Sequence, residues 1–394
     1  MSVTFPAGFT ANGVTAGLKP SGRPDLGLLA ADGSAAAAGM FTTNVFSAAP
    51  VNLTRQRLQQ PTARAVLVNS GNANANRGDQ GDFDALLTTA SAAAALGAEP
   101  DDILAASTGV IGGTMDTGKI QDAMPELVAG LAADGGARFA EAICTTDTVV
   151  KEAQAEVGPY RVGACGKGAA MVEPKLDLAT MLVFFTTDAL LSTAALRMLA
   201  KTALKPAFEQ LTIDGCTSTN DTVLVLASGA AGGPKVGTGS KEWNDLASAF
   251  REMGDSLAYQ MAADAEGGTK VLLVDVVRAR SNDDAQVIAK AIANSVLVKT
   301  AIFGADPNPG RLVQAIGSSG ARFDPTKVRV WLGDVMVMDG TSMAASYDDA
   351  AAHIVVKQDE ISVRVDCGGG PANARAIGCD LSYDYVKINA DYTT

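Results

Sequence analysis

The chain has 394 residues, of which 47% are hydrophobic and 19% are charged. This length and balance predict a globular protein with two or three lobes. The formal net charge is −12 and no run of lysine or arginine occurs. A nucleic-acid partner and an anionic membrane surface are therefore disfavoured, because both attract basic surfaces.

Cysteine and histidine usage narrows the chemistry further. The five cysteines form no CxxC pair, and the N-terminus has no signal-peptide pattern, so we expect a reduced, cytoplasmic chain. His353 is the only histidine, and it lies where a helix is predicted to lead into a strand. We interpret it as a surface or packing residue. We expect neither a metal nor a cofactor, and a catalytic base other than histidine.

The first half of the chain alternates strand-like and helical patterns. Residues 65–68 read as a buried strand, and residues 84–96 as a helix that Gly97 caps. An apolar strand is predicted at 181–187. A helix follows from about Thr193 with Ser192 as its N-cap, and Pro206 should end or kink it.

The second half continues the same alternation. Apolar residues spaced by three and four from Trp243 to Leu257 predict one face of a long helix. Residues 271–277 and 361–365 read as strands, and residues 328–338 as a hairpin turning at Gly333-Asp334. The sequence therefore predicts a mixed α/β (α+β) fold.

Several glycine-rich or polar segments could carry chemistry. The segment GACGKGAA (163–170) lacks the spacing of a phosphate loop, which leaves Lys167 as a charge beside a pocket. The small residues of STGVIG (107–112) could aim donors at an oxyanion, or form an ordinary turn. A carboxylate in ADAEG (263–267) could hold an ammonium, or be a solvated turn.

The pair Ala179-Thr180 stands before the apolar strand at 181–187. If the Thr180 hydroxyl attacks the Ala179 carbonyl, hydrolysis of the resulting ester frees an N-terminal threonine. Its own α-amine, with a pKa of about 8, can then act as the base for its hydroxyl. This chemistry needs no histidine. Ala-Thr pairs are common, however, and taken alone this pair favours a plain strand start over self-cleavage.

Many segments together resemble one family. In chain order they are NSGNANA (69–75), STGVIG (107–112), TTDT (145–148), KGAAM (167–171), ATML (179–182), TTDA (186–189), DGCTSTNDT (214–222), ADAEG (263–267), SVLVKTAIFGADPN (295–308) and NADYTT (389–394). In order and spacing they are similar to the ornithine acetyltransferase family, the glutamate N-acetyltransferases of arginine biosynthesis. The resemblance covers nearly the whole chain.

This resemblance implies two αβ lobes with the active site between them. It implies self-cleavage between Ala179 and Thr180 into an α chain, 1–179 (lobe one), and a β chain, 180–394 (the C-terminal lobe). The two chains are expected to stay together as an α2β2 heterotetramer. The implied reaction moves acetyl from N-acetylornithine to glutamate through acetyl-Thr180, and some members also accept acetyl-CoA.

The resemblance also assigns site residues. Thr108 and Gly109 match the oxyanion-stabilising pair, and Thr180 is the nucleophile. Substrate-binding positions are Thr145, Lys167, Thr180, Glu266, Asn389 and Thr394. Three departures are visible: extra length at 175–178 before the scissile bond, Pro309 where the family usually has tryptophan, and Ala170 where glycine is common.

Two alternatives stay open at this point. One is a relative with a different acyl donor or acceptor, or with amide hydrolase activity. The other is an uncleaved, non-enzymatic binding protein that keeps the fold.

Overall fold

The computed structural model describes residues 2–173 and 181–391. These residues divide into two compact units. The first unit contains residues up to 209 together with 217–257, and the second contains 210–216 and the described residues from 258 onwards. Ala179, Thr180, Thr394 and the extra residues 175–178 lie outside the described residues.

Eight described strands form the sheet of the first unit. They are β1 (Phe9–Val14), β2 (Leu26–Phe41), β3 (Thr62–Asn72), β4 (Ile103–Val110), β5 (Lys151–Val157), β6 (Tyr160–Lys167), β7 (Leu182–Thr187) and β8 (Thr222–Ala227). The order across the sheet is β4-β3-β2-β8-β7-β6-β5, and β1 pairs with β2. The pairs β3–β4 and β7–β8 are parallel, and the other pairs are antiparallel.

Strand β2 joins the two halves of this sheet. Its first half pairs with β1 and β3, and its last six residues, 36–41, pair with β8. Strands β7 and β8 follow the predicted cleavage point in sequence, yet they lie inside this sheet between β2 and β6. The compact units therefore do not coincide with lobes split at 179/180, and cleavage into those two chains stays a prediction.

Helices pack on the first sheet or continue from it. They are α1 (Ala49–Arg57), α2 (Asp79–Leu96), α3 (Thr117–Ala129), α4 (Gly136–Ala142), α5 (Thr193–Leu199), α6 (Lys205–Glu209) and α7 (Lys241–Ala263), whose last residues belong to the second unit. The predicted caps are confirmed: Gly97 has a φ of 65°, and the Ser192 hydroxyl accepts a hydrogen bond from the Ala195 N–H. A π-helical segment, Ala200–Leu204, interrupts the α-helix just before Pro206, as expected for a residue without an N–H.

The apolar stripe of α7 is confirmed as core. Leu246, Phe250, Met253 and Leu257 are buried, and Phe250 stacks on Phe185 of β7 with 5.2 Å between ring centroids. Such a stacked aromatic pair contributes about 0.5–1.5 kcal/mol beyond its buried area.

Six described strands form the sheet of the second unit. They are β9 (Val271–Ala279), β10 (Arg329–Leu332), β11 (Val335–Asp339), β12 (Ser342–Met343), β13 (Glu360–Asp366) and β14 (Ala372–Cys379). The order is β12-β11-β10-β13-β9-β14, in which only the neighbours β9 and β13 run parallel. The predicted hairpin is confirmed, and Gly333 takes the left-handed conformation that its tight turn requires, with a φ of 56°.

Five α-helices complete the described part of the second unit. They are α8 (Asn282–Asn294), α9 (Val296–Phe303), α10 (Pro309–Gly317), α11 (Asp349–Val355) and α12 (Tyr383–Asp391). Pro309 is the first residue of α10, and Asn308 caps that helix by accepting from the Arg311 N–H. Proline is well tolerated at this position because its missing N–H would have no partner within the helix. His353 is partly exposed on α11, as predicted.

No single described helix is both long and apolar enough to cross a membrane. One bent pair, α8 with α9, satisfies those criteria only when the two helices are taken together. Both helices contribute side chains to the buried core of the second unit, including Ile288, Ile292 and Ile302.

Candidate active site

Two residues predicted for the site meet in the first unit. Thr108 lies near the end of β4, and Lys167 is the last residue of β6. The Lys167 ammonium donates a hydrogen bond of 3.0 Å to the Thr108 hydroxyl. Lys167 is only 9% exposed. A buried ammonium beside a hydroxyl can bind the carboxylate or the carbonyl oxygen of a small substrate.

Gly109 lies where two glycine-containing segments pack backbone against backbone. Its φ is 129°, and a Cβ added there would stand 2.3 Å from the carbonyl carbon of Gly71. Gly71 itself has a φ of 100°. Only glycine permits this close approach. Gly71 and Gly109 therefore determine the bulged junction of β3 and β4, which contains Thr108.

Asparagine side chains hold this junction in place. The Asn220 amide donates to the Ala73 carbonyl at 2.6 Å and to the Ser107 carbonyl at 2.8 Å. The Ser107 hydroxyl donates to the Asn69 side-chain oxygen at 2.5 Å. These contacts join three of the family motifs. No local pattern indicates this role for Asn220, because both carbonyl partners of its amide lie more than 100 residues away in the chain.

Asp147 is a buried carboxylate that organises the next segment. It accepts hydrogen bonds from the Thr145 N–H at 3.0 Å, the Gly168 N–H at 2.9 Å and the Lys151 ammonium at 2.7 Å. Both charged side chains of the Asp147–Lys151 ion pair are fully buried. Thr145, a predicted substrate residue, is thereby connected to the residue that follows Lys167.

The electrostatics of Asp147 follow from these contacts. Burial opposes ionisation, but Lys167, Lys151 and the hydrogen bonds outweigh it and hold the pKa of the Asp147 carboxyl well below its usual range. Asp147 is therefore an anion at neutral pH and a poor candidate for a general acid. No local pattern in TTDT (145–148) indicates this role of Asp147, because Gly168 lies 21 residues away in the chain.

A second lysine borders the same cluster. The Lys19 ammonium donates to the carbonyl oxygens of Pro24, at 2.7 Å, and Cys144, at 2.5 Å. Burial lowers the pKa of Lys19 to about 8. Burial, followed by the charge of Asp147, raises the pKa of the neighbouring Cys144 thiol to about 12. Cys144 is thus a thiol at neutral pH and a weak nucleophile.

The described residues on both sides of the predicted scissile bond are anchored in the first unit. The Glu173 carbonyl accepts a hydrogen bond of 3.0 Å from the Thr217 hydroxyl. Met181, which is covalently bonded to Thr180, accepts at its carbonyl from the Thr222 N–H at 2.8 Å. The next residue, Leu182, pairs in register with Lys167.

In the second unit, the structure brings together the other two described substrate candidates. The Asn389 amide of α12 donates to the Glu266 carboxylate at 3.0 Å. Gly267 permits α12 to approach, because a Cβ there would stand 2.3 Å from the Tyr385 nitrogen. The Tyr385 hydroxyl lies 3.4 Å from the Asp214 carboxylate, and burial, with Asp214 as the next cause, raises the pKa of Tyr385.

Comparisons with known proteins identify the class of enzyme. A relative from Symbiobacterium thermophilum, named arginine biosynthesis bifunctional protein ArgJ, is 46% identical over 100% of this chain and 98% of its own length. A relative of the same name from Geobacter sulfurreducens is 43% identical over 98% of this chain and 99% of its own. The chain is an acyltransferase of arginine biosynthesis. Residues 10–394 match the model of the ArgJ family, and the chain belongs to that family.

Solved structures of relatives cover parts of the chain. The ornithine acetyltransferase of Mycobacterium tuberculosis, solved in complex with ornithine, is 40% identical, covers 43% of this chain and 93% of its own, and has a TM-score of 0.43. The ArgJ protein of Bacillus halodurans is 35% identical over 54% of this chain and 98% of its own, with a TM-score of 0.49. The membership decides against the non-enzymatic alternative, whereas a different acyl donor or acceptor stays open.

Proposed function

We propose that the chain cuts itself between Ala179 and Thr180 and then transfers acetyl from N-acetylornithine to glutamate through acetyl-Thr180. The curated relatives carry arginine biosynthesis in their names, and the Mycobacterium tuberculosis relative was solved with bound ornithine. Both substrates are small amino acids whose carboxylate and ammonium groups call for one cationic and one anionic partner in the protein.

The observation that carries this proposal is the contact between Lys167 and Thr108 at the start of β7. The ammonium and the hydroxyl are 3.0 Å apart, and Leu182 is the strand partner of Lys167. A nucleophile two residues before Leu182 needs a nearby donor to stabilise the oxyanion, and Thr108 with Gly109 is proposed to supply it. Lys167 is proposed to hold the substrate carboxylate.

The remaining roles extend this assignment. Thr145 is proposed to contact the substrate, since Asp147 ties its backbone to the residue after Lys167. Glu266, oriented by Asn389, is proposed to take the substrate ammonium, and Thr394 is proposed to contribute to substrate binding. We also propose an α2β2 assembly of the cleaved chains. A cytoplasmic location is supported by five cysteines that are all free thiols.

The base for the reaction is proposed to be the α-amine that cleavage creates. An α-amine with a pKa of about 8 accepts a proton near neutral pH. His353 is a poor alternative base, because its partly exposed side chain lies on α11 and its ring nitrogen contacts the Asp349 carbonyl at 2.8 Å. Burial raises the pKa of Cys144 to about 12, so its thiol is a weak nucleophile at neutral pH.

Cleavage is tested by the mass of the purified protein. Wild type should give two fragments, the second beginning Thr-Met-Leu. Thr180→Ala should stay one chain, and the surface control Thr202→Ala should cleave as wild type does. A wild-type protein that remains a single chain after long incubation would contradict self-processing.

Transfer is tested on the cleaved protein. Incubation with N-acetylornithine should add one acetyl mass to the fragment that begins at Thr180, and glutamate should then remove that mass and yield N-acetylglutamate. If the acetylated fragment forms but water discharges it as fast as glutamate does, the acceptor is wrong. If no acylated amino acid or acetyl-CoA labels the fragment, the proposed intermediate is wrong.

A further inference from the structure

A cavity of about 630 Å³ in the second unit is lined by an unusual number of cations. Four basic residues line it, from two separate segments of a chain whose net charge is −12: Arg278, Arg280, Arg322 and Lys327. The volume is in the range of cavities that bind small molecules. None of these residues takes part in the proposed acetyl transfer.

The position of the cavity in the sheet is one that often binds ligands. The parallel strands β9 and β13 end at Ala279 and Asp366, and the loop that follows each strand lines the cavity. In open α/β sheets, ligands bind outside the carboxyl ends of such strands. Here that edge carries Arg278 near the end of β9, Arg280 just after it, and three consecutive glycines after β13.

Glycines of the segment 367–371 bring the two basic segments together. A Cβ on Gly370 would stand 1.7 Å from the Ala279 carbonyl oxygen, and one on Gly368 would stand 2.5 Å from the Lys327 Cβ. The Arg278 carbonyl accepts from the N–H groups of Gly369 and Gly370, and Arg278 itself has a φ of 56°. Only a glycine loop can pack this closely, so the cation cluster is built by the backbone.

The acidic residues around the cavity are already occupied. Asp366 accepts from the Gly368 N–H and pairs with Arg278. Asp324 accepts from the N–H and hydroxyl of Thr326 and lies 3.5 Å from Lys327. Asp284 accepts from the Ser281 hydroxyl and from the backbone N–H of Arg322.

Two guanidinium groups are left without such partners. Among the described residues, the side chains of Arg280 and Arg322 donate no hydrogen bond and form no ion pair within 4.0 Å, although both lie near enough to Asp284 to feel its charge. A guanidinium carries five N–H donors in a planar fork that matches the oxygens of a phosphate. The cavity therefore presents several unused donors to solvent.

We propose that this cavity binds a small molecule that carries two or more linked phosphate groups. Cations from two segments border a space too large for one tetrahedral anion, and linked phosphates put several charges into it at once. Arg280 and Arg322 bind the phosphate oxygens in bidentate fashion, and Lys327 adds a point charge. Phe323 and Pro371 form an apolar part of the lining, which leaves room for an organic group on the phosphates.

The test is calorimetric titration of the purified full chain at about 0.1 M salt, without added divalent cations. Inorganic pyrophosphate and ATP should bind one per chain, and orthophosphate should bind at least tenfold more weakly. Arg280→Gln and Arg322→Gln should each weaken pyrophosphate binding at least tenfold. Arg364→Gln is the matched control: Arg364 is exposed on β13, lies over the Trp331 ring and does not line the cavity. It should bind as wild type does.

Each contrary result overturns the proposal. Absence of pyrophosphate and ATP binding at millimolar concentration removes the site. If Arg364→Gln weakens pyrophosphate binding as much as the cavity variants do, the loss reflects only the change in net charge. If the Arg280→Gln/Arg322→Gln double variant binds pyrophosphate as tightly as wild type, the ligand binds elsewhere. Citrate binding as tightly as pyrophosphate would show that the cavity selects charge alone and not phosphate. Thermal unfolding of every variant confirms that it is folded.

Discussion

Replacing Asp147 by asparagine removes one charge from a fully buried ion pair. The side chain keeps an oxygen that can still accept from Thr145 or Gly168, but the buried Lys151 ammonium loses its counter-charge at 2.7 Å. Removing one partner of a buried pair costs about 3–5 kcal/mol, because the remaining buried charge loses the adjacent opposite charge that offset its desolvation. We expect Asp147→Asn to lower the free energy of unfolding by about that amount.

The assay is urea unfolding followed by circular dichroism. The dependence of the unfolding free energy on urea concentration is compared between variants, because an unchanged slope shows that the variants differ in stability alone. Asp134→Asn is the control, since its pair with Arg138 at 3.8 Å is mostly exposed and should contribute less than about 1 kcal/mol. Adding Lys151→Met to Asp147→Asn should recover part of the loss, because the buried ammonium that lost its carboxylate is then gone.

The pH dependence provides a separate check. The lowered pKa of Asp147 in the folded state means that its stabilising contribution is complete above its unfolded pKa of about 3.9. That contribution is lost only as the pH falls through the lower folded value. The difference in unfolding free energy between wild type and Asp147→Asn should therefore be constant from about pH 5.5 to 7.5. A loss no larger than that of Asp134→Asn would refute the reasoning.

Three further changes test the neighbouring residues. Gly109→Ala puts a Cβ 2.3 Å from the Gly71 carbonyl carbon, so we expect a lower melting temperature and less soluble protein; an unchanged melting temperature would contradict the required close approach. Lys167→Ala removes the charge beside Thr108 and should lower kcat/KM at least tenfold, since a charge-assisted hydrogen bond contributes about 1.5–3 kcal/mol; unchanged kinetics in a folded, cleaved variant would remove Lys167 from the site. The lowered pKa of Lys19, about 8, means that the unfolded chain binds more protons between about pH 8 and 10, so wild-type stability should gain from rising pH in that range. Lys19→Met should lose this gain, and equal pH slopes in the two proteins would contradict the assignment.

Local signals in the sequence predicted much of the secondary structure. The end of α2 at Gly97, the start of α5 at Ser192 and the turn at Gly333 are each set by one residue whose backbone or side chain has a short-range role. The mixed α/β class follows from the same elements. Neither the pairing of β8 with β2 nor the boundaries of the two units could be read from local patterns.

Contacts between distant segments account for what the sequence analysis missed. Asn220 holds the Ser107 carbonyl across 113 positions, and Asp147 bonds to Gly168 across 21. In sequence, asparagine and aspartate are common in helix caps and turns, so neither Asn220 nor Asp147 indicates a distant contact. The distant partners are visible only in the folded chain. The basic cavity is a similar case, because Arg280, Arg322 and Gly370 come together only at one edge of the second sheet.

The place of β7 and β8 inside the first sheet has a kinetic consequence for a chain cut at 179/180. Strands β1 to β6 would then belong to one polypeptide, and β7 and β8, held between β2 and β6, to the other. An uncut chain, such as Thr180→Ala, can regain this sheet in a unimolecular step. The cut protein must first bring two polypeptides together, so its recovery from denaturant becomes bimolecular and slows on dilution. The sheet would therefore form efficiently only before cleavage. After cleavage, its recovery would depend on protein concentration.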